Sequence, residues 1–198
     1  MALTKTKSAL DAIFTHAASA EIIEGATASI ADAYHAELYV YFSPGSATAT
    51  TVVGEARVEV SSSTSGDTDW MPHVTLSMAS VATAADEALT ATEPAAETVI
   101  AVAATAGITA GLPIFIRNTT LASSEWHEVK SIVANTSVTL VDGLANEQTA
   151  AASTIYTLAD RRKVTLPFGA NRVRVVFLAP TGPTTAVWKT DLLKVTAV

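Results

Sequence analysis

Between Thr98 and Tyr156 four short β-rich runs are separated by turn chemistry, and that rhythm restricts this stretch to a small all-β module. Val99, Ala101 and Ala103 alternate with Ile100 and Val102. Leu112 to Ile116 forms a second run, and Glu125 to Val133 a third. Val138, Leu140 and Val141 belong to a fourth, and a last short strand follows at Thr154 to Thr157. Gly107 and Gly111 bracket one turn, and Asp142-Gly143 is a strong turn signal. Side chains spaced by two share one face of a strand, so each run carries a face to bury.

The flanks are also β, with longer strands. Leu38, Val40 and Phe42 share one face and Tyr39 and Tyr41 the other, which suits a strand covered on both sides. Ser43-Pro44-Gly45-Ser46 ends it with turn residues. Ala56, Val58 and Val60 alternate with Glu55, Arg57 and Glu59, the pattern of a half-solvated antiparallel strand. Trp70 to Met78 is a further strand, which Pro72 confines to a sheet edge or a bulge. At one constant offset Leu38, Val40 and Phe42 meet Val173, Val175 and Phe177, and Val58 and Val60 meet Leu193 and Val195. The two ends of the chain therefore share one β grammar, although strand-loop-strand segments in general can match in this way.

Ala79 to Glu97 is small, polar and acidic and contains Pro94, the composition of a connection. A second seam lies near Ala150 to Ser153. The expected architecture is an all-β chain: a discontinuous antiparallel β-sandwich built from residues 21–92 and 159–198, with a small β-barrel or β-roll module inserted at residues 93–158. Residues 1–20 form an N-terminal arm or short helix, because Leu3, Leu10, Ile13 and Phe14 fall near helical spacing.

The 198 residues carry a formal net charge of −7, which disfavours nucleic acid as a partner. Arg161-Arg162-Lys163 is the only basic triplet and reads as a solvated strand start. There is no cysteine, hence no disulfide framework and no thiolate metal site. Ser8, Asp11, Thr15 and His16 interrupt the N-terminal apolar residues ahead of Ala17-Ala18-Ser19-Ala20, so a signal peptide is not expected. No run approaches the roughly 18 apolar residues of a membrane-spanning helix, and no membrane partner is expected. Aromatics make up only 6% of the chain, while alanine and threonine abound. Small side chains bury little area each, so the subunit is expected to gain stability by association, as a homo-oligomer, trimer before dimer.

No residue cluster has the look of an active site. His16, His35, His73 and His127 show no metal-ligand spacing, and His127-Glu128 lacks the second histidine of a zinc-protease helix. Glu125 and His127 share a strand face, where a hydrogen bond between them is the simpler reading than a dyad. Asp67-Thr68-Asp69 offers too few oxygens for a calcium loop. No catalytic, cofactor or metal residues are assigned, and a non-enzymatic protein is expected. Trp70, Trp126 and Trp188 are either core residues or interface anchors, since tryptophan is enriched at binding hot spots. With Leu3, Leu10, Ile13 and Phe14 of the arm they are the interface candidates.

The middle module resembles a recurring unit of tailed-bacteriophage structural proteins. The resemblance rests on Thr105-Ala106-Gly107, Gly111-Leu112, Ser124-Glu125 through Val129, and Thr136-Ser137-Val138-Thr139-Leu140 to Gly143-Leu144. Pro113 departs from the polar residue usual after the second glycine. The resemblance implies a structural part of a virion assembled in the host cytoplasm. Its partners would be other virion proteins, the major capsid protein or neck and tail proteins. A capsid cement or decoration protein is the leading expectation. A neck, tail or baseplate protein, and a carbohydrate-binding β-sandwich module, are the alternatives.

Overall fold

The computed structural model describes residues 3–15, 22–43, 52–66, 69–80, 86–157, 160–181 and 187–197. His16 to Ala20, the Pro44–Ser46 turn, Asp67 and Thr68, and the 81–85 part of the seam lie outside the described residues. The chain forms two compact units, one of Met1–Phe42, Val52–Ala79 and Asp160–Val198, the other of Ser43–Thr51 and Ser80–Ala159.

The first unit is a pair of antiparallel sheets. Numbered along the chain, its strands are β1 (Leu3–Thr15), β2 (Ile22–Glu24), β3 (Ala28–Ser29), β4 (Ala33–Ser43), β5 (Val52–Ser61), β6 (Met71–Ser80), β13 (Asp160–Thr165), β14 (Arg172–Thr181) and β15 (Val187–Ala197). One sheet runs β1-β15-β4-β13 and the other β2-β14-β5-β6, with β3 also paired to β14. The alternation read from sequence sets the faces. Leu38, Val40 and Phe42 of β4 and Val173, Val175 and Phe177 of β14 are fully buried. Trp188 lies between the two sets, its ring 4.6 Å from Phe42 and 5.2 Å from Phe177. A side chain added at Gly54 would come within 2.5 Å of that indole, so the glycine makes room for the tryptophan.

The matched end segments occupy related places. β4 to β5 crosses from the first sheet to the second, and β14 to β15 crosses back. Exchanging the sheets maps β1-β15-β4-β13 onto β6-β5-β14-β2, so the N-terminal strand stands where β6 stands in the other half. The offset holds for β4 and β14 but slips by one residue in the second strand. Val58 and Val60 point inward, whereas in β15 the alternate residues Trp188, Thr190 and Leu192 are buried, and Leu193 and Val195 are only half-buried. A one-residue shift exchanges the faces of a strand.

The N-terminal segment is neither a detached arm nor a helix. β1 pairs with β15 from Leu3↔Ala197 to Thr15↔Val187, with register shifts on both sides of Asp11. Its Thr-Lys alternation suits a pleated edge strand, and the ladder offered by β15 outweighs the near-helical spacing of Leu3, Leu10, Ile13 and Phe14. Trp70 precedes β6, which is the edge strand that Pro72 implied.

The second unit has six strands: β7 (Asp86–Ala88), β8 (Val99–Ala101), β9 (Pro113–Asn118), β10 (Glu125–Val133), β11 (Ser137–Leu140) and β12 (Ser153–Tyr156), in the order β7-β12-β9-β10-β11-β8. A bridge between Leu89 and Val102 and the Thr90 N–H bond to the Ala101 carbonyl join the two outer strands, so the sheet curls until its edges meet. Ile100, Ile114, Ile116, Val129, Val138 and Ile155 fill the interior. The contacts place the first boundary at 79/80 rather than at 92/93: β7 pairs with β12, and Leu89 joins this core. The Ala-rich, acidic composition conceals that short strand in the sequence.

Candidate functional site

Among the described residues a dense polar cluster sits inside the second unit, where β10 begins. Glu125 and His127 leave the same face of β10, and the His127 Nε2 lies 2.8 Å from Glu125 Oε2. The same oxygen accepts the Ala145 N–H at 2.7 Å, and Oε1 accepts Gln148 Nε2 at 2.6 Å. Gln148 is fully buried and also donates to the Ser123 carbonyl. Its Oε1 accepts from Asn118 Nδ2 at 3.1 Å and Ser153 Oγ at 2.9 Å. Burial pushes the Glu125 carboxyl up, but the Ala145 N–H, His127 and Gln148 outweigh it and hold the group below its ordinary value. Every partner here is spent within the network, and the cluster ties the 141–148 loop to β9 and β10. Among the described residues no group of three histidine or acidic side chains could hold a metal ion. The arrangement is a structural clasp.

The interface candidates are scattered over the fold. Leu3 is 65% exposed at the start of β1, and Leu10 is half-buried. Ile13 and Phe14 lie in β1, Ile13 within a register shift and Phe14 opposite Trp188; their side chains lie outside the described residues. Trp188 is a core residue with no exposed surface, so it cannot anchor a partner. Trp126 is half-buried against Phe115, with centroids 5.2 Å apart. Trp70 is half-buried under two guanidiniums, those of Arg172 at 4.8 Å and Arg174 at 4.6 Å. Arg172 holds the 61–70 loop in turn, donating to the Ser63 and Ser65 carbonyls and to Asp69 Oδ1. Hydrogen bonds from Ser61, then the Ser63 N–H and the Arg172 charge, keep the Asp69 carboxyl below its usual range despite a desolvation cost.

Among the described residues the most exposed aromatic is not one of the interface candidates. Phe168, at the tip of the β13–β14 turn, is 91% exposed. It shares a recess with Tyr34 and Ala197, the residue that pairs with Leu3, and another with Met71. Leu3, Tyr34, Met71 and Phe168 thus form a discontinuous apolar rim at one end of the sandwich. The signal available was Pro167-Phe168-Gly169, a large aromatic inside a turn dipeptide context where no core can receive it.

No family model matches the chain, and no curated protein matches it. Among solved structures it is similar to one described as the structure of infectious bursal disease virus, Gx strain, at 12% identity and a TM-score of 0.24. That alignment covers 98% of this chain and 41% of the other, so the chain spans less than half the length of the viral protein.

Proposed function

We propose that this protein is a non-enzymatic structural component of a tailed-bacteriophage particle, a capsid cement or decoration protein ahead of a neck or tail part. The reading is carried by the second unit. Its motif residues lie in turns and strands, which supports the reading. Gly107 and Gly111 adopt φ of 76° and 80°, the left-handed turns where a side chain is strained, and Ser124-Glu125 opens a strand. Thr136 to Leu144 runs turn, strand and turn.

The mode of action would be packing and strand pairing with neighbouring subunits, which stabilises a lattice by mass action. The sandwich edges differ in a way that supports this. β13 carries four charged residues in six, β2 is three residues long, and β1 has Lys5, Lys7, Asp11 and two register shifts. β6 runs ten residues, MPHVTLSMAS, without a charge. Charge, shortness and bulges are the usual protection of an edge, and β6 has none beyond Pro72. Immunogold labelling of purified particles from the source of this chain tests the proposal. Label on the head, and a lower temperature of DNA release from particles lacking the protein, are expected. Particles without the protein anywhere on their surface would overturn it.

A further inference from the structure

The charge of this chain is unevenly divided. The second unit contains two cations, Arg117 and Lys130, against eight carboxylates, a net of −6 of the total −7. The first unit has ten cations and eleven carboxylates, a net of −1. Within the first unit the cations are concentrated again. In the β1-β15-β4-β13 sheet, Leu38, Val40 and Phe42 face inward, so Glu37, Tyr39 and Tyr41 face outward. Register places Arg161 beside Tyr41 and Lys163 beside Tyr39, and Lys7 beside Leu193.

This outer face therefore gathers Lys5, Lys7, Arg161, Lys163 and Lys189 against the two carboxylates of Glu37 and Asp191, a net of +3 on an acidic protein. Tyr39, Tyr41, Lys5, Lys7 and Leu193 line an open groove of ≈ 410 Å³ on it. Both carboxylates are held by the face itself. Glu37 takes Lys163 Nζ at 3.0 Å and the Tyr39 hydroxyl at 2.9 Å, and Asp191 takes Lys7 Nζ at 3.3 Å and Lys189. Lys5 and Arg161 stand exposed at opposite edges of the sheet, in β1 and β13.

We infer that this cationic tyrosine-bearing sheet face is a self-association surface, which receives the acidic second unit of another copy of the chain. The occupant follows from charge complementarity: a +3 face and a −6 unit are carried by every copy, and complementary potentials select partner and orientation. A face-to-module contact is heterologous, so copies add head to tail, as a closed ring or as an open filament according to the rotation between neighbours. Glu128 and Asp142, linked through the Val141 N–H bond to the Glu128 carbonyl, and Glu147 of the 141–148 loop are exposed and present the acidic side. The inference is independent of any role in a particle.

Sedimentation velocity of the full chain at about 0.05 M and about 1 M salt tests it, since the screening length falls from over 10 Å to about 3 Å between them. The wild type is expected to associate at low salt and to dissociate at high salt. The K5E/R161E variant, which leaves the Lys7 and Lys163 ion pairs intact, is expected to associate about tenfold or more weakly. The E128K/D142K/E147K variant is expected to weaken likewise. Mixing the two should restore association, because the reversed face of one meets the reversed unit of the other. Circular dichroism melts check that each variant is folded. A wild type that stays monomeric at low salt, K5E/R161E association equal to wild type, or a mixture that stays monomeric would each overturn the inference. So would a monomer whose face instead binds a single-stranded oligonucleotide in a K5E/R161E-sensitive way.

Discussion

The Gln148 side-chain amide and the Glu125 carboxylate meet at 2.6 Å inside the second unit, from positions 23 residues apart. Gln148 is the hub of that network, because its other end accepts from Asn118 and Ser153. Gln148→Ala leaves Glu125, Asn118 and Ser153 short of partners in a buried site. Loss of about 1–3 kcal/mol of stability is expected. Urea denaturation followed through Trp126 fluorescence, in a Trp70→Phe/Trp188→Phe background, measures it, and an unchanged midpoint would show the network to be dispensable.

The same carboxylate sets a pH dependence. Its native value lies below the ordinary 4.5. A lowered native value contributes stability that is present above the unfolded-state value and is lost as pH falls through the native one. Stability of the second unit is therefore expected to fall with acidification below about pH 5. In Glu125→Gln that acid slope should flatten, at a lower stability near neutrality. Parallel slopes for variant and wild type would remove Glu125 as the cause.

In the sandwich, Gly54 and Trp188 are a matched pair. Gly54→Ala forces a methyl group to within 2.5 Å of the indole and should cost about 1–3 kcal/mol. Trp188→Ala empties the space between Phe42 and Phe177 and should cost about 3–5 kcal/mol. If overpacking is the cause, Gly54→Ala should be tolerated better in a Trp188→Leu background than in the wild type. A double-mutant cycle with no coupling would contradict the clash.

Removal of residues 2–14 strips β1 from β15. Because the strand belongs to the subunit's own sheet, the isolated protein should melt at least about 5 °C lower. A truncated protein with the wild-type melting temperature would show that the segment contributes no ladder of its own.

Phe168→Ser and Thr75→Lys separate two surfaces. Both residues are exposed, so each change should alter stability by no more than about 0.5 kcal/mol. Thr75→Lys places a charge on the β6 edge and should reduce particle binding if strand pairing there holds the protein in place. Phe168→Ser tests the apolar rim in the same co-sedimentation assay. Unimpaired binding by both variants would exclude the β6 edge and the rim as contacts.

Alternation determined the β class and the buried faces of β4 and β14, and Pro72 limited its strand to an edge or a bulge, because both are local properties that survive in any β arrangement. The turn glycines at 107 and 111 were legible for the same reason: their backbone conformation is set by steric limits within a residue or two. Tertiary structure decided the rest. β1 became a strand because β15 offered an unpaired ladder, although Leu3, Leu10, Ile13 and Phe14 also fit a helix. Trp188 became core through the packing of two sheets that no local pattern encodes. Asn118, Glu125, Gln148 and Ser153 are distant in sequence and ordinary in type. The pairing of β12 and β10 on either side of β9, with the loop that carries Gln148, brings them together, where burial makes each of their hydrogen bonds matter.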